Sequence, residues 1–486
     1  MLLSSLIGSL PPTMRARTVS AGDGDGASRR CGRVTDRAQD VQPGDVFVAI
    51  RGARFDGHDH IPRWAGAAVV ERAVEPCGDV VIVEVASTAA ALGPLCAARE
   101  GNPSDGLRMI GVTGTNGKTS VTYLVAHFAN AMGWSAGVVG TTGHMLNGER
   151  LAEGFTTPTA PQLQALFATF RDKGADLVAM EVSSIGLAAH RVDGTTFTAA
   201  GYTNLTRDHL DYHGTMSSYA AAKARLFTEL LRPDGVAVIN GADAACVAAV
   251  QGLPAPRVRA FRPAEVVHEA ITGMTLSFGD AGGGAQQVHT RLIGSYNLEN
   301  IACAMELGRA AGMDQTTMVR ALESFPGVPG RLERVSDGEG FEVFVDYAHT
   351  DDALRSVISV LRRLTTGRLI VVFGCGGDRD AGKRPAMGAA AAVADVVVVT
   401  SDNPRSEDPA AIIADILRGV AERSAVVEPD RREAIRAAIA MCAPGDVLLV
   451  AGKGHETTQT VGDTVLPFDD RAVCRALLVE RRERAR

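Results

Sequence analysis

Aromatic side chains are scarce in this 486-residue chain, at 5% with only two tryptophans, and the 49 Lys and Arg residues are outnumbered by 56 Asp and Glu. The resulting net charge of −7 argues against a nucleic-acid polyanion as the main partner, while leaving room for a local basic pocket that takes phosphates. The eight cysteines are scattered singly, without a CxxC pair or any metal-ligand spacing. Such usage suits small core residues in a reducing compartment, here the cytoplasm. Long apolar runs are also missing. The N-terminal MLLSSLIGSL has no basic leader and no long hydrophobic stretch before Pro11 and Pro12, so no membrane span is expected. Leu2, Leu3, Leu6, Ile7 and Leu10 stand at helical spacing and predict a short docking helix.

What is present is the balance of a globular enzyme, 46% hydrophobic and 22% charged. At roughly 150 residues per domain the length predicts about three domains. Between about residues 34 and 86 the short apolar runs DVFVAI, GAAVV and VVIVEV predict a small α/β domain. From Arg108, strand-like MIGVTG, SAGVVG, ADLVAMEVSS, TAAGYTNL and GVAVIN alternate with helical stretches, which predicts a mostly parallel sheet covered on both faces. A second such series, FEVFVDYA, RLIVVFG, DVVVVTSD and DVLLVAGKG, begins near Phe341. GMTLSFG and QQVHTRLIG, around a glycine-rich turn, predict an antiparallel hairpin on the central domain.

The strongest local signal is Gly111-Val-Thr-Gly-Thr-Asn-Gly-Lys-Thr119, between a predicted strand and a predicted helix. Gly114, Thr115, Asn116 and Gly117 can bring backbone N–H groups to phosphate oxygens, Lys118 neutralises charge, and the Thr119 hydroxyl suits Mg²⁺. Val112 occupies the first glycine position of a strict Walker A loop. Taken alone, the segment is also compatible with a glycine-rich turn carrying an exposed lysine.

With this loop, Glu181-Val-Ser-Ser184, Asn204-Leu-Thr-Arg-Asp-His-Leu-Asp-Tyr-His-Gly214, Ala221-Ala-Lys223, Tyr296-Asn-Leu-Glu-Asn300, Gly330-Arg-Leu332, Asp346-Tyr-Ala-His349 and Gly374-Cys-Gly-Gly-Asp-Arg379 follow in order. In this the chain resembles the Mur ligases of peptidoglycan synthesis and their relatives the folylpolyglutamate synthases, over nearly its whole length. Asp402-Asn-Pro-Arg405, Gly452-Lys-Gly-His-Glu456 and Phe468-Asp-Asp-Arg471 look like the members that add meso-diaminopimelate to a UDP-muramoyl dipeptide. The resemblance implies an α/β protein of three domains: a uridine-binding domain (1–104), a central P-loop ATPase domain (105–332) and a Rossmann-like amino-acid domain (333–486).

It also implies ATP and Mg²⁺ as cofactors, two small-molecule substrates and a monomer. Glu181 and His209 match the family's magnesium ligands. Lys223 matches its carbamylated lysine, a carboxylate-like ligand made from an ammonium that would otherwise repel the metal. Asn300 is expected at the adenine, Asp346 at the ribose, and Arg331 and His349 at the phosphates. Thr156, Thr157, Ser183 and Arg191 are expected to hold the UDP-substrate. For the acceptor, Asp402, Asn403, Pro404 and Arg405 follow a strand, and Arg405 suits a distal carboxylate that it binds as a fork. Glu456 is expected to pair the distal amine, Gly452 to allow close backbone approach and Arg379 to hold the other carboxylate. The sequence departs from the pattern at Ile185, Ala189, Asp351 and Thr35-Asp36-Arg37. Rival readings are a folylpolyglutamate synthase or specialised amide ligase, one using L-lysine included, and a catalytically silent nucleotide-binding module. The hundred residues before the loop speak against the folate enzymes, and retention of Lys118, Glu181, His209 and Lys223 against the silent module.

Overall fold

A computed structural model describes residues 1–14, 17–19, 28–52, 55–75, 78–279, 284–336, 338–420 and 425–484. The chain groups into two compact units, Met1–Ala264 with Leu298–Leu322, and Glu265–Asn297 with Glu323–Arg486.

The first unit contains two sheets. In the smaller, the parallel strands Val34–Thr35, Val46–Val48, Ala67–Val70 and Val81–Glu84 lie side by side, and Arg17–Val19 adds an antiparallel edge. The N-terminal residues form the expected helix, Leu3–Gly8, which buries Leu3 and Leu6. These join Leu10, Val46, Val69 and the helix Thr88–Arg99 in one core. The larger sheet has eight strands in the order Val258–Phe261, Leu231–Asn240, Phe197–Tyr202, Arg108–Thr113, Leu177–Glu181, Ala136–Gly140, Gly143–Leu146 and Glu149–Ala152. The first six are parallel and the last two form an antiparallel extension. Arg108–Thr113 sits between the two strands that follow it at a distance in the chain. Connections therefore leave it on both sides, and the crevice at its carboxyl end is where such sheets collect ligands.

The second unit is built on six strands in the order Glu333–Arg334, Glu342–Asp346, Val447–Ala451, Leu369–Phe373, Val396–Val399 and Val426–Val427, all parallel but the first. The runs LIVVF and VLLVA are buried throughout, as strands covered on both faces must be. The hairpin expected on the central domain is a three-stranded antiparallel sheet, Glu265–Ala270, Gly273–Gly279 and Ala285–Thr290, and it groups with this second unit. Its attachment has a physical cause: Glu269 accepts from Arg363 at 2.7 Å, and Ile271 and Ile293 pack into the unit's core. Most of its glycine-rich turn lies outside the described residues. Asp351, where the family pattern differs, is the first residue of helix Asp351–Leu364, capped by Thr350. An acidic residue there meets the positive end of the helix dipole.

The seven described free cysteines are all buried, and burial pushes the thiols of Cys375 and Cys442 up to about 12. Among the described residues no helix is long and apolar enough to cross a membrane.

The most deeply placed ion pair joins Arg431 to Asp470, with Nε–Oδ1 at 2.8 Å and Nη2–Oδ2 at 2.7 Å and both side chains without solvent exposure. Removing one partner strands a buried charge, so Asp470→Ala should lower stability by about 3–5 kcal/mol. Arg418, 72% exposed in its pair with Asp415, should leave the midpoint unchanged when replaced by Ala. Urea titration of the wild type and both variants checks the contrast, and equal midpoints for all three would refute it.

Candidate active site

The loop after strand Arg108–Thr113 is held open by two glycines in left-handed backbone. Gly114 has φ +144° and Gly117 φ +87°. A Cβ on Gly114 would stand 1.9 Å from Thr203 Oγ1, and one on Gly117 2.3 Å from Asn300 Oδ1. Only glycine fits at either place, and the space so preserved is a cradle on the N-terminus of helix Lys118–Ala131. Asn204 supports the loop from behind. Its carbonyl accepts from Thr115 N at 2.9 Å and its Oδ1 from Asn116 N at 3.0 Å. Thr119, on the first helical turn, is buried.

Lys118 and Lys223 converge on this loop. Lys118 Nζ donates to the carbonyls of Gly114 and Thr115, both at 2.8 Å, and Lys223 Nζ donates to the same Gly114 carbonyl at 2.8 Å. Lys223 is 1% exposed, and its Nζ lies 4.6 Å from the centroid of Tyr219. Burial, and then the charge of Lys118, hold the Lys223 amine well below its ordinary pKa. Tyr219 also meets His209 edge-on at 6.2 Å. His209, at φ +50°, pairs with Asp208 at 3.4 Å and remains accessible.

Glu181 ends the strand beside the loop strand. It is 1% exposed; its Oε1 accepts from Thr141 N at 2.9 Å and its Oε2 from Thr141 Oγ1 at 3.2 Å. The four residues expected to hold the UDP-substrate gather around it. Thr156 Oγ1 lies 2.9 Å from Thr141 Oγ1, and Thr157 Oγ1 donates to the Glu181 carbonyl at 3.0 Å. Ser183 N donates to Thr157 Oγ1, and Arg191 to the Thr157 carbonyl, each at 3.0 Å. Ser183 caps the helix Ser184–Ala188, Ile185 is half-buried and Ala189 exposed. Asp36, from the altered Thr35-Asp36-Arg37, is near enough to Arg191 for their charges to interact, although burial dominates and raises its carboxyl pKa.

The remaining expected residues lie in the second unit, in two groups. Asp346 ends strand Glu342–Asp346, accepting from Leu332 N at 2.6 Å and Ala348 N at 2.7 Å. Burial raises its carboxyl pKa while the charge of Arg331 opposes that rise. Arg331 stacks on Tyr347 at 4.6 Å, and His349 lies 4.6 Å from the same ring. The second group forms where strands Val396–Val399 and Val447–Ala451 end. Asn403 Nδ2 donates to Glu456 Oε2 at 2.8 Å, and a Cβ on Gly452 would stand 2.6 Å from Asp402 Oδ2. Arg405, at φ +52°, anchors one nitrogen on the Gly377 carbonyl at 2.6 Å, and the Pro404 carbonyl closes on Gly377 too tightly for any Cβ there. Arg379 is exposed and contacts only the Asp378 carbonyl, at 3.2 Å, among its described hydrogen bonds.

Sequence reasoning gave no role to Tyr219, Asp208, Thr141 or Lys453. Tyr219 was findable, since it stands four residues before Lys223 on one helix face. Among the described residues no three His, Cys, Asp or Glu side chains cluster as a metal site. A hydroxyl and a carboxylate beside a phosphate cradle nevertheless fit Mg²⁺, which keeps waters and phosphate oxygens and takes few protein ligands.

Residues 112–308 match the Mur ligase middle domain and residues 330–454 the Mur ligase glutamate ligase domain. The UDP-N-acetylmuramoyl-L-alanyl-D-glutamate–2,6-diaminopimelate ligase of Geobacter metallireducens is 42% identical over 472 residues, covering 89% of this chain and 91% of its own. The enzyme of the same name from Thermosynechococcus vestitus is 41% identical, covering 91% of this chain and 92% of its own. A solved structure with that name aligns at TM-score 0.69 and 32% identity, over 96% of this chain and 100% of its own.

The depressed Lys223 pKa has a sign that can be checked. The folded state binds fewer protons here than the unfolded chain, so folding loses stability at low pH and gains it as pH rises from the folded pKa towards the ordinary 10.5. In nucleotide-free, bicarbonate-free buffer, Lys223→Met should remove that gain. The stability advantage of the variant over the wild type should therefore shrink as pH rises. Parallel stability curves for the two proteins would show that Lys223 is protonated in the fold.

Proposed function

The chain belongs to the Mur ligase family, and from that premise we propose that it joins meso-diaminopimelate to the D-glutamate of UDP-N-acetylmuramoyl-L-alanyl-D-glutamate, driven by ATP, in cytoplasmic peptidoglycan-precursor synthesis. The observation that carries this reading is the likeness of about nine-tenths of the chain to ligases of that name, joined to the pairing of Asn403 with Glu456 beside Arg405. We assign residues 1–104 to the nucleotide sugar, 105–332 to ATP and 333–486 to the amino acid.

The chemistry sets two anions against each other. The γ-carboxylate of the D-glutamyl residue attacks the γ-phosphorus of ATP, the bond to the β-phosphate oxygen breaks, and ADP leaves behind an acyl phosphate. The N–H groups of the Gly114–Gly117 loop and the Lys118 ammonium draw the phosphates into the cradle and offset their charge. Magnesium, when bound, screens the same oxygens; Thr119, Glu181 and His209 are the ligands this chain offers it. The amine of the acceptor then adds to the acyl carbon, and collapse of the tetrahedral adduct releases phosphate and leaves the amide. Thr156, Thr157, Ser183 and Arg191 hold the carboxylate substrate beside Glu181, and Asn300, Asp346, Arg331 and His349 hold the nucleotide. Arg379 takes the acceptor's proximal carboxylate, and Arg405 takes the distal one on the nitrogens turned away from Gly377.

Lys223 completes the set as a carbamate. Its amine, stripped of solvent and pushed towards neutrality, is the form that adds to CO₂ with loss of a proton, giving a carboxylate-bearing side chain. With carbon-13 bicarbonate the wild type should show a carbamate carbonyl resonance that Lys223→Met lacks; its presence in both proteins would place the modification elsewhere.

The function is tested by phosphate release with ATP, the UDP-muramoyl dipeptide and a panel of amino acids, in which meso-diaminopimelate should be the preferred acceptor. Arg405→Ala should raise the KM for meso-diaminopimelate roughly tenfold to 150-fold, the worth of a charge-assisted hydrogen bond, and affect L-lysine much less. A wild type preferring lysine would overturn the acceptor assignment.

A further inference from the structure

Lys453 is the buried cation behind the acceptor group. It follows strand Val447–Ala451 between Gly452 at φ +116° and Gly454 at φ +54°. Neither glycine tolerates a Cβ: one on Gly452 would meet Asp402 Oδ2 at 2.6 Å, and one on Gly454 would meet the Gly330 carbonyl at 2.6 Å. The side chain between these turns is 0% exposed. Its Nζ donates to the Thr458 carbonyl at 2.6 Å, to Glu456 Oε2 at 3.2 Å and to Asn403 Oδ1 at 3.3 Å. Asn403 is fixed from both ends, since its Oδ1 also accepts from Thr460 N at 2.9 Å and its Nδ2 donates to Glu456 Oε2 at 2.8 Å.

Glu456 Oε2 therefore takes two donors from inside the protein, and the 32% exposure of that side chain belongs to a carboxylate already tethered by one oxygen. We propose that Lys453 is a positioning residue that makes Glu456 a one-sided, directional receptor for the distal ammonium of the acceptor. This rests on the acceptor reading above. Lys453 and Asn403 together hold Oε2 and fix the carboxylate plane, so Oε1 is the oxygen left for the substrate. An untethered glutamate would rotate to meet water and lose both the direction and much of the selectivity.

The test compares two acceptors that differ only at the distal centre, meso-diaminopimelate and 2-aminopimelate, the latter lacking the distal amine. Lys453→Met should raise the KM for meso-diaminopimelate roughly tenfold to a hundredfold. The KM for 2-aminopimelate and for ATP, and kcat with 2-aminopimelate, should stay at wild-type values. Lys453→Gln, which keeps a donor for a buried carbonyl, serves the same comparison if the Met variant does not fold. Equal losses for both acceptors would make Lys453 a general strut of the loop, and no loss for either would make it silent; each outcome overturns the inference. A wild type that does not distinguish the two acceptors refutes the acceptor reading itself, and the role of Lys453 with it.

Discussion

The carbonyl oxygen of Gly114 accepts from two lysine side chains, and the surroundings of the loop are arranged around that fact. Burial lowers the pKa of the Lys223 amine, and the like charge of Lys118 on the same acceptor adds to that fall. Lys118, on the first turn of its helix, donates to the Thr115 carbonyl as well. Lys223, at 1% exposure, is driven towards the neutral amine. Both contacts depend on the loop passing through Gly114, where Thr203 Oγ1 leaves no room for a side chain. Strand, loop and helix thus bring two lysines to one oxygen in different surroundings, Lys118 at the cradle and Lys223 buried away from water.

The candidate acceptor group of the second unit follows the same sheet logic. It also stands at the carboxyl ends of parallel strands, but it is built from side chains rather than backbone amides. The loops there carry both signs of charge in Arg405 and Glu456, which suits the zwitterionic acceptor proposed above. Behind them, Arg431 ties the carbonyls of Ser401 and Ala451 to Asp470, and Lys453 ties Asn403 to Glu456. Both cations are fully buried and fully partnered, the condition under which interior charge gives geometry rather than strain.

Much of this was legible beforehand because buried parallel strands announce themselves as unbroken apolar runs, and because a glycine-rich loop between strand and helix has few other uses. The strands Gly143–Leu146 and Glu149–Ala152 were not legible, since GHML and ERLA are half polar and extend an edge. The hairpin was recognised, but its attachment depended on the Glu269–Arg363 pair, 94 residues apart, which local pattern cannot reveal. In the site, Thr156, Thr157, Ser183 and Arg191, far apart in part along the chain, gather around Glu181. Arg379 stands apart on an exposed loop, and Arg405 spends one nitrogen on its own backbone surroundings. Lys453 was overlooked because a lysine beside two glycines reads as solvated; only the positive φ on both sides turns it inward.

The scattered cysteines acquire a use in this light. Cys31, Cys96, Cys246 and Cys303 lie in the first unit and Cys375, Cys442 and Cys474 in the second, every one buried. Thiolate is the reactive form, and burial withholds it by raising the thiol pKa of each. These sulfurs are therefore shielded from oxidant and alkylating agent while their unit is folded, and reactive once it opens. Peptide mapping of alkylated thiols thus reads the opening of each unit separately, from labels that are native to the chain.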